Sequence, residues 1–203
     1  MSQKGTNLVL HARKKEHLIP TLKILDPNIK IVQVEAELSD HLAVAAMLET
    51  IAKITPQIDI VYNNAAIMTP WREAHTTPVD DYRLSFEINV YSLVKICDYF
   101  IPGMKKRGFG RIINITSGIE NIPELLPYSM SKAAVDRYVR DLVVSLKDTG
   151  VLINLLDPGW LRTDLGGNQA PNAVESVLPG ALVPALLENN GPNGCLYKAQ
   201  EYL

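Results

Sequence analysis

The stretch Gly110-Arg-Ile-Ile-Asn-Ile-Thr-Ser117 is an apolar run that ends in two hydroxyl side chains, a pattern typical of a buried β-strand. Residues 127–148 follow with apolar side chains at helical spacing, which predicts a helix that ends at Gly150. The next apolar run, Val151-Leu-Ile-Asn-Leu-Leu156, predicts a second buried strand. Because no hairpin signal separates these elements, the order strand, helix, strand favours two parallel strands joined by a helix.

The rest of the chain repeats this alternation. Ser39 or Asp40 is expected to cap one helix, and breaks are expected near Asn89 and at Pro102 in another. The other predicted elements are strands at 7–11, 30–34, 58–62 and 195–197 and helices at 16–26, 40–54, 79–106 and 174–187. We therefore predict a single α/β domain over residues 1–203, with a Rossmann-like, doubly wound parallel sheet in a three-layer α/β/α arrangement.

Composition narrows the class of protein. With 203 residues, of which 47% are hydrophobic and 21% charged, the chain can bury one substantial core. A net charge of -2 without long basic runs argues against a nucleic-acid partner or an anionic membrane surface. Cys97 and Cys195 belong to no cluster with metal-ligand spacing, so no metal site is expected. No apolar run approaches the roughly 20 residues of a membrane span, and we expect a cytoplasmic protein.

Tyr128 and Lys132 carry the candidate chemistry, in the stretch Tyr128-Ser-Met-Ser-Lys132 that follows Pro127. Side chains four residues apart lie on one face of a helix. A phenol titrates near pH ~10, and a neighbouring ammonium favours the phenolate and lowers that pKa. We therefore expect Lys132 to tune the pKa of Tyr128, and Tyr128 to transfer a proton near neutral pH. Alone, this spacing is common in helices, so the other motifs decide its meaning.

Three further motifs accompany the pair: Asn63-Asn-Ala-Ala66, Asn89 and Asp157-Pro-Gly-Trp-Leu-Arg-Thr163. Together with Ser117, and in this order, they resemble the short-chain dehydrogenase/reductase (SDR) family over most of the chain, from Lys4 to about Tyr197. The resemblance implies an NAD(P)-dependent oxidoreductase that transfers a hydride between NADP(H) and an alcohol or carbonyl substrate.

The resemblance implies a role for each candidate catalytic residue. Tyr128 donates or accepts the hydroxyl proton, while Lys132 lowers the pKa of Tyr128 and contacts the nicotinamide ribose. Ser117 orients the carbonyl oxygen, although Thr116 also carries a hydroxyl at the same strand end. Asn89 holds a water that relays protons to Lys132. Ser117 precedes Tyr128 by 11 residues, so the loop between them is shorter than is usual in the family.

A cofactor site is implied at the following residues: Arg13, Glu37, Leu38, Asn64, Tyr128, Lys132, Pro158, Gly159 and Thr163. Arg13 comes just after a strand, and Ala12 occupies the position where an acidic residue would favour NAD, so NADP is the expected cofactor rather than NAD. Glu37 stands where the family carries an Asp near the adenine, and Thr163 is expected to meet the carboxamide. For the basic cluster at 13–15, a solvated turn is the alternative.

One family motif is missing from the sequence. The 12 glycines include no G-x-x-x-G-x-G and no G-x-G-x-x-G, so the glycine-rich turn that approaches a pyrophosphate is absent, together with the first strand. This N-terminally truncated pattern predicts two strand edges with unpaired backbone groups. Three accounts remain open: a truncated gene model or isoform, which we favour, a degenerate protein, or a rearranged sheet. The rival function is a non-catalytic, truncated SDR-derived interaction protein.

Partners and substrate follow from the same resemblance. A small-molecule alcohol or ketone is the expected substrate, and a homodimer or homotetramer through the helices 88–106 and 127–148 is the expected assembly. The long loop at 157–171 contains glycines that suit a lid. An apolar pocket lining is suggested by Met68, Trp71, Ile119, Leu125 and Trp160, all of which are also ordinary loop anchors.

Overall fold

The computed structural model describes residues 1–202 and forms two compact units, an N-terminal unit, Met1–Gln57, and a C-terminal unit that begins at Ile58. Each unit contains its own hydrogen-bonded sheet, of two strands in the first and four strands in the second. All strand pairs in both sheets are parallel, as the sequence predicts.

The N-terminal unit packs one long helix on two strands. Strand β1 (Leu8–Ala12) pairs in register with β2 (Ile31–Glu35), and the short helix α1 (Ile19–Leu22) lies between them in the chain, with Pro20 in its first turn. Helix α2 (His41–Ile54) begins at the predicted cap: the Asp40 carboxylate accepts hydrogen bonds from the backbone N–H groups of residues 42 and 43 at 2.8 and 3.1 Å.

The C-terminal unit holds a sheet in the order β3 (Ile60–Asn63), β4 (Gly110–Ile115), β5 (Val151–Asp157) and β6 (Leu196–Lys198). Its helices are α3 (Val79–Phe86), α4 (Ser92–Arg107) and α5 (Leu126–Leu142). The core joins strands and helices through side chains that are almost fully buried: Cys97, Met104, Ile112, Val135, Val139 and Ile153. Because parallel strands end at the same edge of a sheet, the residues that follow β3, β4 and β5 lie near one another.

Strands β1 and β3 are among the strands that are hydrogen-bonded to a neighbouring strand on one side only. Within residues 1–202, β1 pairs only with β2, and β3 pairs only with β4. These are the two strands for which the sequence predicts an unpaired side. In each, one row of backbone N–H and C=O groups therefore has no strand partner among the described residues.

The helical stretch predicted at 79–106 is interrupted once, at a π-helical turn over Glu87–Tyr91 that contains Asn89. The expected break at Asn89 is thus confirmed. The break expected at Pro102 is wrong, because α4 continues through this residue to Arg107. Pro102 itself is exposed, while the adjacent Ile101 and nearby Met104 are buried in the core, and their packing holds the helix together on both sides of the proline.

The helices predicted at 127–148 and at 174–187 need correction. The helix predicted at 127–148 is α-helical only to Leu142 and continues as a 3-10 turn over Val143–Leu146. The helix predicted at 174–187 consists instead of two 3-10 turns, Val174–Val177 and Gly180–Ala185, because Pro179 and Pro184 cannot donate the backbone hydrogen bonds of an α-helix. Among the helices of the described chain, none is long and apolar enough to cross a bilayer.

Candidate active site

Tyr128 and Lys132 lie one turn apart on the buried face of α5. Pro127 occupies the first turn of the helix, where its fixed backbone angle suits helix initiation. Tyr128 is 9% exposed and Lys132 is 4% exposed, and the Lys132 ammonium nitrogen lies 5.6 Å from the centre of the Tyr128 ring. The predicted placement on one helix face is therefore observed.

Two hydroxyl side chains at the end of β4 face different residues of α5. The Ser117 hydroxyl donates a hydrogen bond to the Tyr128 phenol, an interaction that favours the phenolate. The hydroxyl of Thr116, which is buried, donates instead to the Asp136 carboxylate. Of the two hydroxyls that the sequence left open, Ser117 is thus the one placed against the phenol.

The ammonium group of Lys132 lies at the end of β4. Its ammonium donates a 2.8 Å hydrogen bond to the backbone carbonyl of Ile115, the last residue of β4. Burial disfavours the charged form and lowers the pKa of Lys132 to about 8, although the negative charge of Asp136 opposes this shift. Lys132 is therefore a buried lysine that loses its proton only slightly above neutral pH.

The pKa of Tyr128 is shifted in the direction opposite to the expected one. Burial is the largest cause and raises the pKa of the phenol, the Ser117 hydrogen bond lowers it, and the Asp157 carboxylate raises it. The sequence-based expectation of a lowered pKa is therefore wrong for the chain by itself, because spacing alone does not reveal burial. Since its pKa is raised, Tyr128 is protonated near neutral pH and is equipped to act as an acid.

Asn89 connects the loop after β3 to α5. Its side-chain carbonyl accepts from the backbone N–H of Ile67 at 2.8 Å, and its amide nitrogen donates to the Ile67 carbonyl and to the Ser131 hydroxyl, both at 2.9 Å. Ser131 in turn donates to the backbone carbonyl of Tyr128 at 2.7 Å. These bonds use both donors of the amide, so Asn89 positions the loop and α5, while its predicted role in a proton relay stays a prediction.

The residues after β5 form a turn that favours glycine. The Asp157 carboxylate accepts a 2.9 Å hydrogen bond from the Gly159 backbone, which has a φ of 71°. A β-carbon at Gly159 would lie 2.9 Å from the side-chain oxygen of Gln200, whose amide donates to the Pro158 carbonyl at 2.6 Å. These hydrogen bonds fix the turn, and Gly159 is exposed directly after the strand.

The loop that continues to residue 171 is held by its own hydrogen bonds. The Thr163 hydroxyl oxygen accepts from the Gly166 backbone at 3.0 Å, and the Trp160 indole donates to the Gly166 carbonyl at 2.7 Å. The Arg162 guanidinium donates to the carbonyls of Ala170 and Pro171 at 3.1 and 2.7 Å. Thr163 is exposed and keeps a hydroxyl hydrogen to donate to a ligand.

Asn63, the last residue of β3, and Asn64, which follows it, differ in their surroundings. The Asn63 amide donates to the Asn114 side chain at 2.8 Å and so ties β3 to β4. Asn64 is exposed at the carboxyl end of the sheet. Of the pair, Asn64 is therefore the residue with a side chain open to a ligand, as the resemblance implies.

The remaining predicted cofactor residues lie in the N-terminal unit, at the carboxyl ends of β1 and β2. Arg13 is exposed directly after β1. After β2, Glu37 is exposed and accepts a 3.3 Å hydrogen bond from the Ser39 backbone, while the Leu38 side chain is buried. The Ala36 backbone donates to the Ala12 carbonyl at 3.3 Å, which joins the two strand ends.

Two carboxylates that act on Tyr128 or Lys132 were not among the predicted site residues. Asp136 follows Lys132 by one helical turn and accepts the Thr116 hydrogen bond. Asp157 acts on the pKa values of both Tyr128 and Asp136. For Asp136 the sequence does contain a signal, because positions 128, 132 and 136 repeat every four residues and therefore share one helix face.

The class of protein is indicated by a tyrosine and a lysine on one helix face, beside Ser117, which follows β4, and Asp157, which ends β5. A family model described as short chain dehydrogenase matches residues 1–173. The chain therefore belongs to the short-chain dehydrogenase family, as the sequence motifs predict.

Proteins with similar sequences include two that are named as an oxidoreductase and a dehydrogenase. The uncharacterized oxidoreductase YvrD of Bacillus subtilis (strain 168) is 32% identical over 164 residues, which are 80% of this chain and 62% of YvrD. The NADP-dependent 3-hydroxy acid dehydrogenase YdfG of Shigella flexneri is 28% identical over 172 residues, which are 84% of this chain and 67% of YdfG.

A solved structure confirms the Rossmann-like α/β fold. The crystal structure of serine dehydrogenase from Escherichia coli matches with a TM-score of 0.80 at 26% identity, over 97% of this chain and 87% of that chain. The sequence match to YvrD, by contrast, spans only 62% of that relative's length.

Proposed function

We propose that this chain is an oxidoreductase that transfers a hydride between NADP(H) and an alcohol or carbonyl substrate. The observation that carries the proposal is the Ser117 hydroxyl on the Tyr128 phenol, with the Lys132 ammonium one turn further along α5. A protonated phenol beside a hydroxyl, at the carboxyl edge of a parallel sheet, suits the transfer of a proton to a carbonyl oxygen.

Three side chains have different roles in carbonyl reduction. Tyr128 donates its proton to the substrate oxygen, and its raised pKa keeps that proton available near neutral pH. Ser117, hydrogen-bonded to the phenol, holds Tyr128 at the strand exit and so orients it toward the substrate oxygen. The positive charge of Lys132 stabilises the phenolate that remains after proton transfer. In the alcohol-oxidising direction the same groups act in reverse.

The residues at the strand ends fit the nicotinamide half of a dinucleotide. Gly159 is exposed after β5, Asn64 and Thr163 offer exposed polar groups, and Lys132 and Tyr128 lie on the adjoining helix face. These residues would hold the ribose and the carboxamide. The cofactor supplies the hydride when it is bound.

Arg13 supports NADP over NAD. An arginine directly after a β-strand is suited to a 2′-phosphate through charge-assisted hydrogen bonds, and Ala12 leaves no carboxylate there to bind a ribose 2′-hydroxyl. The relative YdfG is named as an NADP-dependent enzyme. The same preference is proposed for this chain.

Arg13→Asp is expected to weaken NADPH binding about tenfold or more while changing NADH binding by less than about threefold, because the lost cation pairs only with the additional phosphate. Thermal shift titrations with NADPH and with NADH measure both affinities. Lys23→Asp is the matched control, since Lys23 is an exposed cation of the same unit that follows α1. Equal losses of affinity for NADPH and NADH would contradict the proposal that Arg13 binds the 2′-phosphate.

The thermal shift titration of the wild type with NADPH also distinguishes an oxidoreductase from a non-catalytic interaction protein. A stabilisation that saturates with NADPH supports the oxidoreductase, because only a ligand that binds the folded state raises its stability. No stabilisation at millimolar NADPH would contradict the proposal and support a non-catalytic interaction protein.

The substrate is proposed to be an apolar alcohol or ketone. Trp71 and Trp160 are 62% and 57% exposed, and they come from the loops that follow β3 and β5. Leu125, predicted as part of the pocket lining, is buried and belongs to the core instead. Exposed aromatic side chains near a strand edge favour contact with an apolar ligand.

We also propose that the chain associates with further copies of itself through α4 and α5. Both helices, together with the turns at their ends, carry large apolar side chains in solvent: Tyr91, Tyr99, Met130 and Val144. Burial of such side chains against a second copy of the chain is favourable.

A further inference from the structure

Three consecutive residues at the exit of β4 are each bonded to a different residue on one face of α5. The Ile115 carbonyl accepts from Lys132, the Thr116 hydroxyl donates to Asp136, and the Ser117 hydroxyl bonds Tyr128. The helix partners are spaced four residues apart, so each successive turn of α5 makes one contact. Two of these contacts involve the proposed catalytic residues, whereas the third, between Thr116 and Asp136, has no role in the reaction described above.

Asp136 is partly buried and has charged neighbours on two elements. Burial raises the pKa of its carboxyl, while the Thr116 hydrogen bond and the positive charges of Arg140 and Lys132 lower it. Asp157, at the end of β5, raises it further. The net result is a raised pKa with burial as its largest cause, while the hydrogen bond and the two cations oppose that shift by favouring the ionised form.

We propose that Asp136 is a positioning residue for the proton-transfer centre: its side chain, one turn from Lys132 on the same face of α5, supports the Lys132 ammonium and, through Thr116, fixes the strand exit that presents Ser117. This inference rests on the proposed function only for its effect on turnover. The effect of Asp136 on the pKa of Lys132 does not depend on turnover and is measurable without a substrate.

The charge on Asp136 has a consequence for the pH dependence of reduction. Lys132 stabilises the Tyr128 phenolate only while it is protonated, so the rate of reduction is expected to fall as the pH rises through about 8. The groups that act on Lys132 are Asp136 and Tyr128 on its own helix and the Ile115 carbonyl on β4. Removal of the negative charge of Asp136 disfavours the ammonium, lowers the pKa of Lys132 and moves this alkaline limit to lower pH.

Two substitutions separate charge from hydrogen bonding. Asp136→Asn removes the charge but keeps an oxygen that accepts from Thr116, and it is expected to lower the pKa of Lys132 by about one unit. Thr116→Val removes the hydrogen bond but keeps the charge, and it is expected to lower kcat about tenfold without moving the alkaline limit. Asp141→Asn is the control, because Asp141 lies on α5 in an exposed pair with Arg137 and is expected to change neither quantity.

The titration of Lys132 is followed by NMR of the full chain with carbon-13 in the lysine side chains, and the signal that Lys132→Met lacks identifies the residue. A lower pKa in Asp136→Asn, with no change in Asp141→Asn, supports the inference. An unchanged Lys132 titration in Asp136→Asn would overturn it, because a merely structural Asp136 leaves that pKa in place. If the NMR shift occurs but the wild type reduces no ketone, the inference about Asp136 stands and the proposed function fails.

Discussion

Tyr128→Phe is expected to lower kcat/KM for ketone reduction by about 10²–10⁴-fold, the usual contribution of a positioned acid. The substitution deletes one oxygen from a buried side chain on α5 and leaves its ring in place. Binding of NADPH depends on many other groups, so its stabilising effect on the protein is expected to remain. Steady-state oxidation of NADPH with acetophenone as the ketone, together with thermal shift, measures both quantities.

Tyr138→Phe provides the control for this experiment. It is the same chemical change on the same helix, ten residues further along, and Tyr138 packs against the hydrophobic core instead of the strand exit. Its kcat/KM is expected to stay within about threefold of the wild type. Turnover that survives in Tyr128→Phe would refute the assigned acid.

Arg111→Met is expected to have the largest effect on stability, a loss of about 3–5 kcal/mol. The guanidinium is 1% exposed and donates to the carbonyls of Leu187, Gly110 and Gly150 and to the side chain of Asn189, all between 2.7 and 3.0 Å. Methionine fills much of the volume but removes all of these donated bonds, although the Gly150 carbonyl keeps the backbone N–H of Gly110 and Asn189 is exposed. Each buried acceptor left without a donor costs about 1–3 kcal/mol.

Chemical denaturation and thermal melting report this loss, which corresponds to a Tm lower by about 10 °C for a chain of this size. Arg137→Met is the matched control, because Arg137 makes a single exposed pair with Asp141, and a loss of no more than about 1 kcal/mol is expected. If the two variants were equally stable, the buried arginine would not anchor the segment around Leu187 as described.

The prediction from sequence succeeds where the signal is local. Asp40 caps α2 as predicted, since a cap depends on residues two and three positions away. Tyr128 and Lys132 share a face because four-residue spacing fixes their relative direction on any helix. Ser117 follows a strand that the apolar run in the sequence predicts.

Contacts between distant parts of the chain account for what the sequence did not predict. Thr116 and Asp136 are 20 residues apart, and Arg111 and Leu187 are 76 apart, so no local pattern indicates that either pair meets. The raised pKa of Tyr128 has the same origin, because its burial arises from tertiary packing. Pro102 was misjudged as a break since core packing on either side outweighs the lost hydrogen bond.

The central claim is that Tyr128, Ser117 and Lys132 form a proton-transfer centre that serves hydride transfer from a nicotinamide. The most direct test incubates the chain with acetophenone and NADPH deuterated at the reactive nicotinamide carbon, and locates the label in the alcohol product by mass spectrometry. The account predicts deuterium on the carbinol carbon with the wild type and no product above background with Tyr128→Phe. Saturable NADPH binding without labelled alcohol from any of a panel of aryl and alkyl ketones would contradict it.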